Sequence, residues 1–208
     1  MALVTSYSSL VANIQTYLAR GDLASDAPGF VQTWESGFYR QPKNHGSWME
    51  ASLSGSIASN ALPVPADFLN LKVAYIATSP ACRLEYVSLE QLYGRFPRGS
   101  WSDTPEWISR DRTNFVFGPE PDSAYTVSGT YYAKPAALRS ASNDAQDTWI
   151  INNAPDLALY GSLLQAEPFL KNDVRIAVWQ SFYAQALKDY RDLIEAEKHS
   201  MPGQEVLG

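Results

Sequence analysis

Apolar residues recur every three or four positions between residues 7 and 20, placing Leu10, Val11, Ile14, Tyr17 and Leu18 on one face. That period predicts a helix, capped by Thr5 or Ser6 and stopped at Gly21. Pro28 opens a second helix, with Phe30, Val31, Trp34 and Phe38 in a stripe that runs to Arg40. From residue 41 to residue 59 the chain turns polar and small, and the only element its weak period suggests is a helix over residues 48–53.

The texture changes at Leu62-Pro63-Val64-Pro65, where two prolines break any helix and favour extended chain. Residues 69–73 and 82–86 alternate, and Thr78-Ser79-Pro80 supplies the turn of a hairpin between them. Ser88-Leu89-Glu90-Gln91 has the capping-box spacing, and Gly94 closes a helical turn or two. Residues 107–108, 114–117 and 125–133 read as three more strands, with turns around Asp111 and at Pro119-Glu120-Pro121-Asp122. Five short strands with adjacent turns suggest an antiparallel sheet or small sandwich. After a polar linker at 139–147, Pro155 starts a helix through Phe169, which Pro168 breaks or kinks. The longest helix begins at Asp173 and carries Ile176, Trp179, Tyr183, Ala186, Leu187, Tyr190, Leu193 and Ile194 at helical spacing. Lys188–Asp192 and Arg191–Glu195 fall four apart on its outer face.

The predicted fold class is therefore α+β: N- and C-terminal helices packed as a helical bundle, with an inserted small antiparallel β-sheet domain. Neither helical end can bury its stripe alone, so residues 1–208 read as one composite domain. Its parts are helical segments at 1–61 and 149–200, a β insert at 62–138 and a flexible tail at 201–208.

Composition agrees with a folded chain. At 208 residues it buries about 70% of its unfolded surface and needs no disulfide or metal for stability. With 6 Trp, 12 Tyr and 8 Phe and only 18% charged residues, it is not intrinsically disordered. No apolar run is long enough to span a membrane, and the first residues lack a secretory pattern. Cys82 is the sole cysteine, which fits a soluble, cytoplasmic, globular protein. Net charge is −6, and residues 141–208 carry five Lys/Arg against ten Asp/Glu. Tight grip on DNA phosphates needs the opposite sign. Arg95, Arg98, Arg110 and Arg112 are the cations to suspect should duplex DNA bind.

Chemistry-bearing residues are few. His45 and His199 stand without a second metal ligand at a recognised spacing and read as surface bystanders. Cys82 shares a strand face with Leu84 and Tyr86 and reads as a small core residue. The glycines of Gly94-Arg95-Phe96-Pro97-Arg98-Gly99-Ser100 imitate a phosphate loop that lacks its lysine. Asp144 and Asp147 fall in the polar linker. No catalytic, cofactor-binding or metal residues are assigned, and no cofactor is expected. Trp101 and Trp107 flank a segment that could form an exposed aromatic loop, and Tyr125 and Tyr131 share a strand face opposite Tyr132.

A succession of short segments resembles the head-to-tail adaptor (connector) proteins of tailed bacteriophages, as found beneath the portal in short-tailed phages. It comprises the first helix, Ala27-Pro28-Gly29-Phe30-Val31, Leu62-Pro63, Ala66-Asp67-Phe68-Leu69, Phe117-Gly118-Pro119-Glu120-Pro121 and Tyr131-Tyr132-Ala133-Lys134-Pro135. Its most specific portion is Trp149, Asn153-Ala154-Pro155-Asp156-Leu157, Leu159-Tyr160-Gly161, Asp173-Val174-Arg175 and Ala177-Val178-Trp179. The resemblance implies a structural, non-enzymatic virion protein at the head–tail interface, made in the bacterial host cytoplasm. It implies a ring of identical subunits, usually a dodecamer, that binds the portal protein and extends the DNA channel. The next tail protein, a nozzle or tail tube, would dock on it, and viral DNA would pass without tight binding. Adaptors of similar design use their C-terminal ends to dock on the portal or a neighbour, which singles out Pro202, Val206 and Leu207. The alternative is a non-catalytic binding module, a capsid decoration or carbohydrate-binding protein, using aromatic residues of the β insert.

Overall fold

A computed structural model of the chain describes residues 3–99, 101–139, 149–170 and 173–199. Helix α1 (Tyr7–Leu18) starts at a reciprocal cap. The Ser6 hydroxyl accepts from the Ser9 amide at 3.2 Å, and the Ser9 hydroxyl accepts from the Ser6 amide at 2.9 Å. It stops before Gly21, because Ala19 adopts the left-handed conformation at φ 52° and ends it there. Helix α2 (Ala27–Tyr39) follows, with Pro28 in its first turn.

Residues 48–53 do not form the expected helix. Strand β1 (Glu50–Ile57) occupies this stretch. Ala51, Leu53, Gly55 and Ile57 alternate with exposed serines, and Leu53 and Ile57 are buried. The two-residue period is complete, but small residues at half of its inward positions conceal it.

Strands β2 (Leu62–Pro63), β3 (Phe68–Ile76) and β4 (Cys82–Tyr86) follow, then helix α3 (Leu89–Arg95) with the Ser88–Gln91 capping box in place. Strands β5 (Ser102–Asp103), β6 (Trp107–Asp111), β7 (Asn114–Gly118), β8 (Glu120–Pro121) and β9 (Tyr125–Ala133) complete the β region. Beyond it come α4 (Trp149–Asn153), α5 (Pro155–Leu164) and α6 (Arg175–His199). Helix α5 ends before Pro168, which lies in a separate 3-10 turn at Glu167–Phe169.

The helical bundle with a small antiparallel insert is overturned. Among the described residues the chain is a mixed α/β fold, six α-helices with a large, nearly closed sheet of seven strands in the order β1-β9-β3-β4-β6-β7-β2. Strands β4 and β6 pair in parallel, through Glu85–Trp107 and Tyr86–Ile108, while the other neighbours are antiparallel. A parallel pair needs a crossover, and the segment holding α3 supplies it. The outer strands β1 and β2 approach each other, where a Cβ on Gly55 would overlap the Leu62 side chain. Leu53, Ile57, Ile76, Leu84, Ile108, Phe115, Phe117 and Val127 fill the interior. Gly129 on β9 is tight against Val73, whose carbonyl occupies the space a Cβ would need.

By internal packing the chain divides into two compact units. Residues Met49–Pro135 form the sheet unit, and Met1–Trp48 with Ala136–Gly208 form the helical unit. Within the helical unit α5 is the central element, packed against α1, α2, α4 and α6. Leu157, Ala158, Leu159, Gly161, Ser162 and Leu163 are all buried, so beyond its first turn this helix is enclosed on most sides. Gly161 is required here, since the Trp34 indole lies where its Cβ would be.

Candidate assembly surfaces

Helix α6 buries Trp179, Ala186, Tyr190 and Ile194. The flank beside that stripe is unusual in its first half. Val174, just before the helix, is 87% exposed, Val178 50% and Phe182 49%, a stripe at four-residue spacing. No charged residue stands between Arg175 and Lys188. Phe182 is held in place by Tyr160, the ring centroids 5.1 Å apart. The start of the helix is fixed as well. Asp173 accepts from the Arg175 amide at 2.9 Å, and the Arg175 guanidinium donates to the Tyr17 carbonyl at 2.8 Å near the end of α1. Hydrogen bonding to Arg175 holds the Asp173 carboxyl below its ordinary pKa. An apolar stripe kept rigid and wet costs solvation without return unless something covers it in the assembled state.

Further along, the same outward face becomes acidic. At helical spacing Val178, Phe182 and Gln185 lead to Asp189, Asp192 and Leu193. Asp189 accepts from Gln185 at 2.7 Å, and Lys188 lies 3.9 Å from Asp192 with both side chains largely in water. Arg191 does not pair with Glu195 as its spacing predicts. It turns aside and donates to Asn44 Oδ1 at 3.0 Å and Gln41 Oε1 at 2.9 Å.

In the sheet unit, three of the four arginines singled out above gather at the β6–β7 turn. Arg98 reaches Asp111 at 3.0 Å and lies 4.7 Å from the Tyr93 ring centroid. Contact with Tyr93, then with Asp111, raises its pKa. Arg110 lies 5.5 Å from the Phe68 ring centroid and donates to the Arg112 carbonyl at 3.0 Å. Arg112 occupies the turn itself with φ 56°. Arg95 sits apart at the end of α3, near Phe96. Trp101 is half exposed, its edge against Phe96, which also contacts Trp107. Tyr131 is buried and donates to Asp67 at 3.0 Å, whereas Tyr86, expected inside with Leu84, is exposed.

The remaining candidates separate. His45 is not a surface bystander: the 3-10 turn Pro42–Asn44 tucks it inward, with Nε2 3.0 Å from the Tyr39 carbonyl. Cys82 is half-buried beside the Pro105 carbonyl. Asp144, Asp147, Pro202, Val206 and Leu207 lie outside the described residues, as does the His199 side chain. Among the described residues, no three His, Cys, Asp or Glu are grouped to hold a metal ion, and no helix is long and apolar enough to cross a membrane. The outward α6 stripe is hard to read in the sequence because Val178 and Phe182 interleave with the apolar residues that pack. The available signal was the gap in charge from residue 176 to residue 187.

Comparison with known proteins points the same way as these assembly surfaces. No curated protein matches the chain. The sequence pattern of a family described as SU10 adaptor protein matches residues 5–204, which takes in both units almost whole. The chain thus belongs to the SU10 adaptor family and is a structural adaptor of the phage head–tail junction.

Proposed function

We propose that this adaptor works as a closed ring, twelve copies in the full assembly, seated beneath the portal. It extends the DNA channel and offers the next tail protein its docking surface. The observation that carries this reading is the family match across nearly the whole chain, since adaptors of that kind interact with portal and tail components. The exposed Val174, Val178 and Phe182 stripe supports it as a surface awaiting cover. Three side chains fall well short of the roughly 800 Å² per partner that a stable interface buries. On this reading the ring closes on the portal rather than in free solution, and sedimentation of the isolated chain at micromolar concentration tests it: a monomer is the expected result.

Cryo-electron microscopy of purified virions tests this directly. A ring of density with cyclic symmetry at the portal is the expected result. Copies scattered over the capsid surface would instead favour a decoration protein that uses Trp101 and its neighbours.

The C-terminal residues Pro202, Val206 and Leu207 are part of the same proposal, as a docking tail for the portal or a neighbour. Truncation after Ser200 should leave Tm nearly unchanged yet block incorporation into portal-bearing heads. Burial of each aliphatic side chain in an apolar groove contributes about 1.5–3 kcal/mol. Normal incorporation of the truncated chain would remove the tail from this role.

A further inference from the structure

We propose that the arginine-bearing β6–β7 turn of one copy binds the outward face of α6 on the next copy. This rests on the ring reading and names the contact that would close it. A ring is built from a heterologous interface, so the chain must carry two different surfaces that fit each other. Two surfaces of opposite character are present. Around the turn Arg98, Arg110 and Arg112 gather, with Asp111 paired to Arg98. On the outward flank of α6, Asp189 and Asp192 stand beside Lys188, and Arg191 is drawn off to Asn44 and Gln41.

Both surfaces are set in position before they meet. Phe68 and Tyr93 lie under the guanidinium groups of Arg110 and Arg98, which keeps their planar forks extended for carboxylates. The acidic positions continue the stripe of Val178 and Phe182, so one docking event covers the apolar half and pairs the charged half. Exposed aromatic and arginine groups are the side chains on which interfaces most depend. A second copy is favoured over DNA as the partner. The sheet unit holds seven Lys/Arg against nine Asp/Glu and so offers a duplex no broad cationic surface, whereas the α6 face sets apolar side chains beside its carboxylates.

Charge reversal with rescue tests the contact. Particles are assembled with Arg110→Glu plus Arg112→Glu, with Asp189→Arg plus Asp192→Arg, and with all four changes, and adaptor copies per purified particle are counted. Each double variant should lose about tenfold or more in occupancy, as expected for close charge pairs across an interface. The fourfold variant should recover most of it, and Tm of every purified chain should stay near the parent value. Undiminished occupancy in the double variants, or no recovery in a folded fourfold variant, overturns the contact.

A cysteine pair covers the case in which a reversed chain does not fold. Arg112→Cys with Asp192→Cys, in a Cys82→Ser background, should give a ladder of linked adaptors on mildly oxidised particles. Absence of the ladder overturns the contact. If Arg110→Glu and Arg112→Glu abolish retention of duplex DNA while occupancy is unchanged, the turn is a phosphate contact and the proposal falls. A cyclic ring in particles of the unmodified chain would leave the ring reading intact in each of these cases. A map of those particles without a ring would remove the ring reading itself.

Discussion

The two units keep their aromatic residues in different company. Inside the sheet, Phe115 and Phe117 sit among Ile57, Ile76, Ile108 and Val127, groups with no hydrogen bond to make. Tyr131 and Tyr125 are the exceptions, through their bonds to Asp67 and Asp122. The helical unit depends on indoles and phenols. Trp34 donates to the Tyr183 hydroxyl at 3.3 Å, and Trp48 to the Tyr190 hydroxyl at 3.2 Å. Tyr190 in turn donates to the Asn44 carbonyl at 2.8 Å, and the Trp48 and Trp149 rings stack 4.9 Å apart. The first interior is held by displaced water and close packing, and is sensitive to volume. The second also needs particular atoms at particular distances, and is sensitive to protonation.

The largest expected effect that follows is Phe115→Ala. A fully buried ring removed from the sheet interior should cost about 3–5 kcal/mol in urea unfolding. A loss under about 1 kcal/mol would mean that this interior tolerates volume change and the contrast is false. Gly129→Ala should come next, at about 1–3 kcal/mol, because the obstacle is the Val73 backbone rather than a movable side chain. Tyr190→Phe keeps the ring and deletes the hydroxyl, leaving the Asn44 carbonyl and the Trp48 indole without that partner. It should cost about 1–3 kcal/mol.

The same hydroxyl gives the helical unit an alkaline limit. Burial is the main cause that pushes the Tyr190 pKa up to about 12, above its ordinary value near 10. The unfolded chain loses this proton first, so the associated stability is intact below about pH 10 and drains away as pH rises toward 12. Tyr39, raised further by burial, reinforces the direction. Unfolding midpoints measured from pH 9 to 12 should fall, and should fall less steeply in Tyr190→Phe; identical slopes would break the assignment. The smallest effect is expected at the exposed Lys188–Asp192 pair, where Asp192→Ala should change stability by under about 0.5 kcal/mol.

What the sequence disclosed depended on whether a signal was local. The β6–β7 hairpin, the strand ending at Ala133 and the Ser88 capping box were readable because a short window contains the whole pattern. Strand β1 was hidden by serine, alanine and glycine, whose alternation has little hydrophobic contrast. The parallel pairing of β4 with β6, which turns a small antiparallel sheet into a mixed seven-stranded one, joins segments some twenty residues apart and leaves no periodic trace. His45 and Arg191 were misread for a related reason. Each is placed by the 3-10 turn at Pro42–Asn44 and its flanks, not by its own neighbours in sequence. The arginines were noticed one by one, while their convergence on a single turn required the fold.

The approach of β1 to β2 around Gly55 and Leu62 has a consequence for any particle that crowds many copies together. A sheet with long bare margins can accept a strand from whichever chain lies nearest, because backbone amides and carbonyls read no sequence. Folding those margins toward each other withdraws that indiscriminate option. Copies held side by side are then left to recognise one another through side chains, which differ from surface to surface and can tell the right neighbour from the wrong one.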